Sequence, residues 1–269
     1  MSGLAPSPIA GQIRALTFDV FGTVVDWRSS VEDELKREAG RKVVSPDFVS
    51  LPQAVQDRVK QLTPADWADF AAEWRSSYYH FTRSFQPGKS QWLDIDTHHH
   101  QSLVELLDRW HLSGLFGEDE ILELSRVWHR LRPWPDAAQG IHQLGTRYTT
   151  ATLSNGNQSL LSDLNDFGGL GFQEIVSAAD FKAYKPHADV YLGAARSLGL
   201  RPDQVAMVAA HLGDLKAAAS HGMKSIYVER PGEEAWEVGE RRQAEDWVDV
   251  WVTQTEGGFV EVARRLGLP

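Results

Sequence analysis

Four stretches of the chain set reactive side chains at the ends of apolar runs. Asp19 and Thr23 lie in "DVFGT", Ser154 and Asn155 in "LSNGN", Lys185 in "DFKAYKP", and His211 and Asp214 in "AAHLGD". Together they offer acids, hydroxyls, an amide, an imidazole and an ammonium. A carboxylate at a strand end, facing the N–H groups of the Phe21-Gly22-Thr23 turn, is expected to stay ionised, and a nearby Lys185 would lower its pKa further. Such a group can attack an electrophilic carbon or phosphorus and form a covalent intermediate. Taken alone, Asp-x-x-Gly-Thr serves equally well as a turn or helix cap, because short motifs acquire meaning from context. Four loops converging on one place supply that context.

The elements that must position these groups show as short apolar, β-branched runs at residues 13–18, 148–153, 174–178, 205–210, 224–228 and 249–252. From 148 onward they alternate with helix-like segments such as "NQSLLSDLNDF" and "PHADVYLGAARSLGL". This alternation predicts βαβ units around a parallel sheet, an α/β Rossmann-like core. Continuous apolar strands fit a sheet covered on both faces. Ligands of such sheets sit beyond the carboxyl ends of the strands, where the four loops lie.

Between the first run and the second the pattern turns helical: "SSVEDELKREAG", "PADWADFAAEWRSSYYHFTRSF", "HHHQSLVELLDRWHL" and "DEILELSRVWHRL". Serine is expected to cap the first helix and Gly40 to end it, while Pro64 after Thr63 opens the second. The expectation is a core of residues 1–27 and 132–269 with a helical cap domain, 28–131, inserted in it. "RPWPDA" marks the return to the core.

The chain has 269 residues, with 27 Lys and Arg against 37 Asp and Glu. This acidic balance argues against a nucleic-acid partner, which needs a basic face. There is no cysteine, so disulfides, thiolate metal sites and cysteine nucleophiles are excluded. The first residues show no secretory h-region, and no apolar run approaches the ~20 residues of a membrane helix. The chain is expected to be cytoplasmic with no membrane partner.

The ordered set "DVFGT", "LSNG", "YKPH" and "AAHLGDL" resembles the haloacid dehalogenase superfamily, whose motifs run Asp-x-x-x-Thr, Ser/Thr, Lys and an acidic cluster. The helical insertion is similar to that superfamily's cap, and the resemblance covers essentially the whole chain. Phosphate-transferring members carry a second Asp two residues after the nucleophile, as acid to the leaving oxygen; here that position is Phe21. An aromatic ring cannot protonate an alkoxide. A halide needs no proton, so Phe21 favours carbon–halogen cleavage. Those members also pair acids in the fourth motif to hold Mg²⁺, whereas "AAHLGDL" shows only Asp214.

Ser154-Asn155, and "EWRSSYY" with Trp74, Arg75 and Tyr78, resemble the L-2-haloacid dehalogenase branch, as does the spacing of Lys185 and Tyr191. The resemblance implies a nucleophilic Asp19 assisted by Thr23, with Lys185 and Asp214 positioning the nucleophile and the hydrolytic water. It gives Arg75 and Asn155 to the halide and Ser154, with N–H groups near Phe21, to the substrate carboxylate. Tyr191 and Trp74 are expected at the substrate. The reaction implied is hydrolysis of small (S)-2-haloalkanoic acids through an aspartyl ester, with no cofactor and no metal. Pairing into a homodimer is compatible with it.

The sequence departs from the branch in two places. The fourth motif reads Ala209-x-His211-x-x-Asp214 where the branch has Ser-x-Asn-x-x-Asp. His211 could act as base for the ester-hydrolysing water or as a structural hydrogen-bond donor, the latter favoured. The insertion also carries extra residues around "GRKVVSPDFVSLPQAVQDRVKQL". Elsewhere, "THHHQ" is expected to be a solvent-facing cap turn, because neighbouring helical histidines cannot all meet one ion. Trp67 and Trp74, seven apart, are expected to share a helical face. The run "ERPGEEAWEVGERRQAEDW" is read as a solvated face or lid.

Three other functions stay open on sequence alone. A Mg²⁺-dependent phosphatase predicts phosphate release abolished by chelator. A hydrolase of another α-substituted acid would share nucleophile and carboxylate grip. A non-catalytic relative would be inert against acids and esters alike.

Overall fold

Every side chain of β1 (Ala15–Phe18) is buried, which explains why its run is apolar but for Thr17. In the computed structural model, which describes residues 5–234 and 239–269, β1 lies between two parallel neighbours. The chain forms two compact units: one holds the residues up to Asp26 and from Arg132 onward, the other Trp27–Leu131.

The first unit is built on a five-stranded parallel sheet of order β4-β1-β5-β6-β7. Its further strands are β4 (Thr149–Thr152), β5 (Val205–Ala209), β6 (Lys224–Val228) and β7 (Val250–Val252). A two-residue antiparallel pair, β2 (Val25–Asp26) with β3 (Arg132–Pro133), belongs to the first unit and brackets residues 27–131 in the sequence. Its helices are α6 (Ala137–Gly145), α7 (Gln158–Phe167), α8 (Ala188–Ser197), α9 (Leu212–Ser220), α10 (Glu240–Glu245) and α11 (Gly258–Arg265). The sheet order sets the carboxyl ends of β4, β1 and β5 side by side. Loops from distant parts of the sequence therefore meet there.

One expected strand does not form. Residues 174–178 run beside β4 but make only isolated bridges, Ala151 with Glu174 and Ser154 with Ser177. The Thr152 hydroxyl inserts between them, donating to the Val176 carbonyl (3.0 Å) and accepting its N–H (2.9 Å). A side chain thus replaces the main-chain partner and interrupts the ladder.

The second unit is helical: α1 (Trp27–Val43), α2 (Gln53–Gln61), α3 (Pro64–Ser84), α4 (Ile95–Arg109) and α5 (Glu118–Ser125). Contrary to expectation, α1 begins before the serines and runs through Gly40. Arg41 and Lys42 complement its carboxyl end, and a single internal glycine costs only ~1 kcal/mol. The stop comes at Ser45-Pro46, where proline disfavours helix in the residue before it. Thr63 and Asp66 form a reciprocal capping box at the start of α3. The extra residues 40–62 contain α2, whose Val55 and Val59 are buried. Trp67 and Trp74 share the buried face of α3, two turns apart. Among the described residues no helix is long and apolar enough to cross a membrane.

Candidate active site

Asp19 follows the last residue of β1, and its main-chain N–H continues the ladder to Val208 (3.0 Å). The chain then turns tightly. Gly22 adopts φ 85° and gives its N–H to the Val25 carbonyl, a conformation that an L side chain resists. The Asp19 carboxylate is held by a side chain of its own turn, Thr23, and by side chains from two other loops, Lys185 and His211.

Thr23 Oγ1 donates to Asp19 Oδ2 (2.7 Å) and accepts the Ala210 N–H (2.9 Å), which joins the first loop to the end of β5. Lys185 Nζ donates to Asp19 Oδ1 (3.1 Å) and to Asp214 Oδ2 (2.7 Å), so one ammonium bridges two carboxylates. The Lys185 N–H is itself fixed by Asn155 Oδ1 (2.8 Å). His211 Nδ1 lies 3.0 Å from Asp19 Oδ2.

Burial alone would raise the Asp19 carboxyl, but Lys185, His211 and Thr23 outweigh it and hold Asp19 well below the usual carboxylate range. Burial by itself would lower Lys185; the two acids reverse this and push it up. Asp214 is raised, by burial and by the charge of Asp19, against the pull of Lys185. Of the two acids, the nucleophile candidate is the one whose surroundings favour its charge the more strongly.

Tyr191, expected at the substrate, is fully buried, and its hydroxyl donates to Asp214 Oδ1 (2.6 Å). Burial and the neighbouring Asp214 push its phenol up, so it remains a donor. Ser154 is buried, with its hydroxyl oxygen accepting the Gly156 N–H (3.3 Å). That leaves its O–H as a donor. The Phe21 ring is buried against Gly156, where a Cβ would stand 3.3 Å from it.

Glu233 joins the site although the sequence reading assigned its whole stretch to a solvated face or lid. Its Oε2 lies 3.0 Å from His211 Nε2, so the imidazole sits between two carboxylates. Glu234 accepts the Leu212 N–H (2.8 Å) at the start of α9. Residues 235–238 of that stretch lie outside the described residues. The signal that could have found Glu233 is "RPGEE" one residue after β6, a Pro-Gly turn at the carboxyl end of a strand. Among the described residues no three His, Asp or Glu side chains are grouped to hold a metal ion.

Arg75 and Trp74 belong to the helical unit. Arg75 is buried, its guanidinium carbon 4.5 Å from the Tyr78 ring centre, 4.7 Å from Tyr79 and 5.5 Å from Trp27. Trp74, expected to line a substrate cavity, is fully buried; its indole N–H goes to the His99 carbonyl and Ser102 Oγ. The histidine run is corrected as well, since it lies inside α4 rather than in a solvent-facing turn. His98 stacks on Phe81 (4.4 Å) and burial lowers it to about 4. His99 stacks on Trp128 (4.4 Å, 13°), and burial drives it well below its ordinary value. Neither ring nitrogen of His99 has a hydrogen-bond partner among the described residues.

Comparison with known proteins agrees with this geometry. A family model described as haloacid dehalogenase-like hydrolase matches residues 13–222. (S)-2-haloacid dehalogenase 4A of Burkholderia cepacia is 28% identical over 223 residues, covering 82% of this chain and 84% of that protein. The crystal structure of a defluorinating L-2-haloacid dehalogenase superposes with a TM-score of 0.78 at 30% identity, covering 97% of this chain and 98% of the other. A second L-2-haloacid dehalogenase structure gives 0.75 at 33% identity, over 95% of this chain and 100% of its own.

Proposed function

Because the chain belongs to the haloacid dehalogenase-like hydrolases, we propose that it hydrolyses small (S)-2-haloalkanoic acids, without a metal, through an ester on Asp19. The observation that carries this reading is the setting of Asp19. It is an ionised carboxylate gripped by Lys185, Thr23 and His211, with an apolar ring at Phe21 two residues on. The Lys185 ammonium stands between Asp19 and Asp214 and supplies there the positive charge that the pair of acids requires.

In the first half-reaction an Asp19 oxygen attacks the α-carbon in line. The carbon–halogen bond breaks, the halide leaves with the electron pair, and the centre inverts. No proton moves, which suits Phe21. Ser154 and N–H groups near Phe21 take the substrate carboxylate. Asn155 spends its carbonyl on Lys185 and keeps its amide N–H end for the halide. The family resemblance gives Arg75 a share in the halide, and the aromatic rings around its guanidinium hold that group rigid within its own unit.

In the second half-reaction water adds to the Asp19 carbonyl carbon. Before the ester forms, both nitrogens of His211 face carboxylates at 3.0 Å, and ionised carboxylates only accept, so both nitrogens carry protons. Esterification removes the charge of Asp19, so Nδ1 then faces a neutral ester oxygen, a weaker acceptor. The Nδ1 proton then passes to solvent water, while Glu233 keeps the Nε2 proton in place. His211 is left as the tautomer whose Nδ1 lone pair faces the ester and takes a proton from the attacking water. The bond between the Asp19 carbonyl carbon and the product oxygen then breaks. That oxygen takes the proton back from Nδ1, the 2-hydroxy acid leaves, and the Asp19 carboxylate is restored.

The test is halide release from (S)-2-chloro- and (S)-2-bromopropanoate, with and without EDTA, beside Asp19→Asn. The expected result is halide release unaffected by chelator and absent in the variant. A single turnover in heavy-oxygen water places label in the Asp19 carboxylate. Turnover retained in Asp19→Asn, or chelator-sensitive phosphate release in place of halide, overturns the reading.

A further inference from the structure

The loop after β6 closes a ring around the nucleophile. Arg230 and Glu233 are the first and last residues of a β-turn, with the Glu233 N–H directed to the Arg230 carbonyl (3.4 Å). Pro231 occupies the second position and Gly232, at φ 75°, the third, the arrangement of a type II turn. At one end the Arg230 guanidinium donates through Nε to the Thr23 carbonyl (2.9 Å) and through Nη1 and Nη2 to both Asp136 oxygens (2.6 and 2.9 Å). At the other end Glu233 meets His211 Nε2. The Thr23 hydroxyl and His211 Nδ1 then reach the same atom, Asp19 Oδ2. The circuit runs from the nucleophile through Thr23, Arg230, the turn, Glu233 and His211 back to the nucleophile.

Two features make this circuit stiff. Arg230 is buried, with its guanidinium carbon 4.7 Å from the Phe259 ring centre and 5.5 Å from that of Trp134. Asp136 also accepts the Phe259 N–H (2.7 Å), so the anchor is the packed meeting of α6 and α11. A second feature is empty space: a Cβ at Gly22 would stand 2.3–2.9 Å from the Glu233 carboxylate group. Glu233 occupies the volume that the missing side chain leaves. An ion pair kept only for stability would need Asp136 alone. The bond to the Thr23 carbonyl goes instead to a residue whose hydroxyl touches the nucleophile.

We propose that Arg230 is a positioning residue for the hydrolytic half-reaction, acting through the Pro231-Gly232 turn to hold Glu233 on His211; this rests on the roles given above to Asp19, His211 and Glu233. His211 is faced by Asp19 from the end of β1 and by Glu233 from the loop after β6. Glu234 lies on the neighbouring Leu212 N–H, and Lys185 and Asp214 stand across the Asp19 carboxylate.

The experiment compares Arg230→Gln, Arg230→Lys, Glu233→Gln and the double variant Arg230→Gln/Glu233→Gln with (S)-2-chloropropanoate. Misplacing an oriented base by about an ångström costs about 10²-fold. Arg230→Gln is expected to lose about that factor in kcat with KM little changed. It should keep the first-turnover burst of halide and accumulate the Asp19 ester, seen by mass spectrometry. The double variant should be no slower than Glu233→Gln alone, since residues acting through one another are not additive. Arg230→Lys should fall between, because an ammonium cannot fork to Asp136 and reach Thr23 at once. It also keeps a cation beside Asp136 should the glutamine variant fail to fold.

Additive losses in the double variant, or a lowered melting temperature with kcat intact in Arg230→Gln and Arg230→Lys, overturn the proposal. An NMR titration of the His211 ring without substrate gives a readout independent of turnover. Arg230→Gln should move it in the same direction as Glu233→Gln, and an unmoved titration overturns the proposal. If the wild type releases no halide, the dehalogenase reading fails and the titration alone decides the role of Arg230.

Discussion

Two buried settings, one in each unit, hold polar groups by different means. In the core unit each buried charge at the site meets an opposite charge: Lys185 lies between Asp19 and Asp214, His211 between Asp19 and Glu233, and Arg230 on Asp136. In the helical unit Arg75 is framed by aromatic faces, and His99 is stacked on Trp128 with no hydrogen bond to its ring nitrogens among the described residues. Charge pairing fixes which groups are ionised, at a cost in desolvation. Aromatic enclosure holds geometry with little grip on protonation, so a cation that never titrates and a histidine that stays neutral are the groups that tolerate it.

The sharpest break of this contrast is Lys185→Met. It leaves two carboxylates buried without their shared cation, and the fold should lose about 3–5 kcal/mol near neutral pH. Halide release should stop with it. Asp19 is lowered in the fold, so its contribution is present above 3.8 and is lost as pH falls through the folded value. Lys185 is raised, so its contribution is present below 10.5 and is lost as pH rises through the folded value. Asp214, being raised, opposes both and is relieved as it protonates. The methionine variant should therefore regain stability relative to wild type on acidification, which denaturant melts across a pH series will show.

Next in size is Glu233→Gln. A glutamine cannot hold the Nε2 proton of a charged imidazole as a carboxylate does, and kcat should fall about 10²-fold or more. Rapid-quench halide measurements should still show a full first turnover. A lost burst would place Glu233 in the displacement step instead.

Arg75→Lys tests the aromatic enclosure. Lysine keeps the charge and loses the plane that packs on Tyr78 and Tyr79. A loss of about 1 kcal/mol in stability is expected, with a lower kcat/KM for the haloacid. Melting curves and steady-state kinetics measure the two. The smallest effect at neutral pH is that of His99→Phe. His99 is lowered in the fold, so below 6.5 the unfolded chain takes up a proton that the folded one refuses. Stability should fall by about 1.4 kcal/mol per pH unit from this residue alone. The phenylalanine variant should flatten that slope, and an unchanged slope would sink the assignment of a neutral buried imidazole.

Much of the sheet was legible because β1, β5 and β6 are buried on both faces and read as apolar runs. The interrupted segment at 174–178 was not, since the hydroxyl that breaks the ladder sits on another strand. Asp19, Thr23, Lys185, Asp214 and His211 could be picked out because each ends or follows such a run. Glu233 could not. It stands among acids that look solvated, and only the direction of the turn after β6 separates it from them. Tyr191 and Trp74 show the converse difficulty, because a polar tip on a large ring does not reveal whether it meets a ligand or another buried residue. The cost of enclosing His99 was likewise invisible, since three histidines in a row reveal nothing of which way each one packs.

The bare α-carbon at Gly22 carries a consequence for anyone altering this protein. The void beside it is already tenanted by the Glu233 carboxylate. Positions 22, 211 and 233 are thus one three-way choice: a methyl group at the first evicts the acid at the third, and an imidazole at the second is then left with half its counter-charge. Redesign of the hydrolytic chemistry must move all three together.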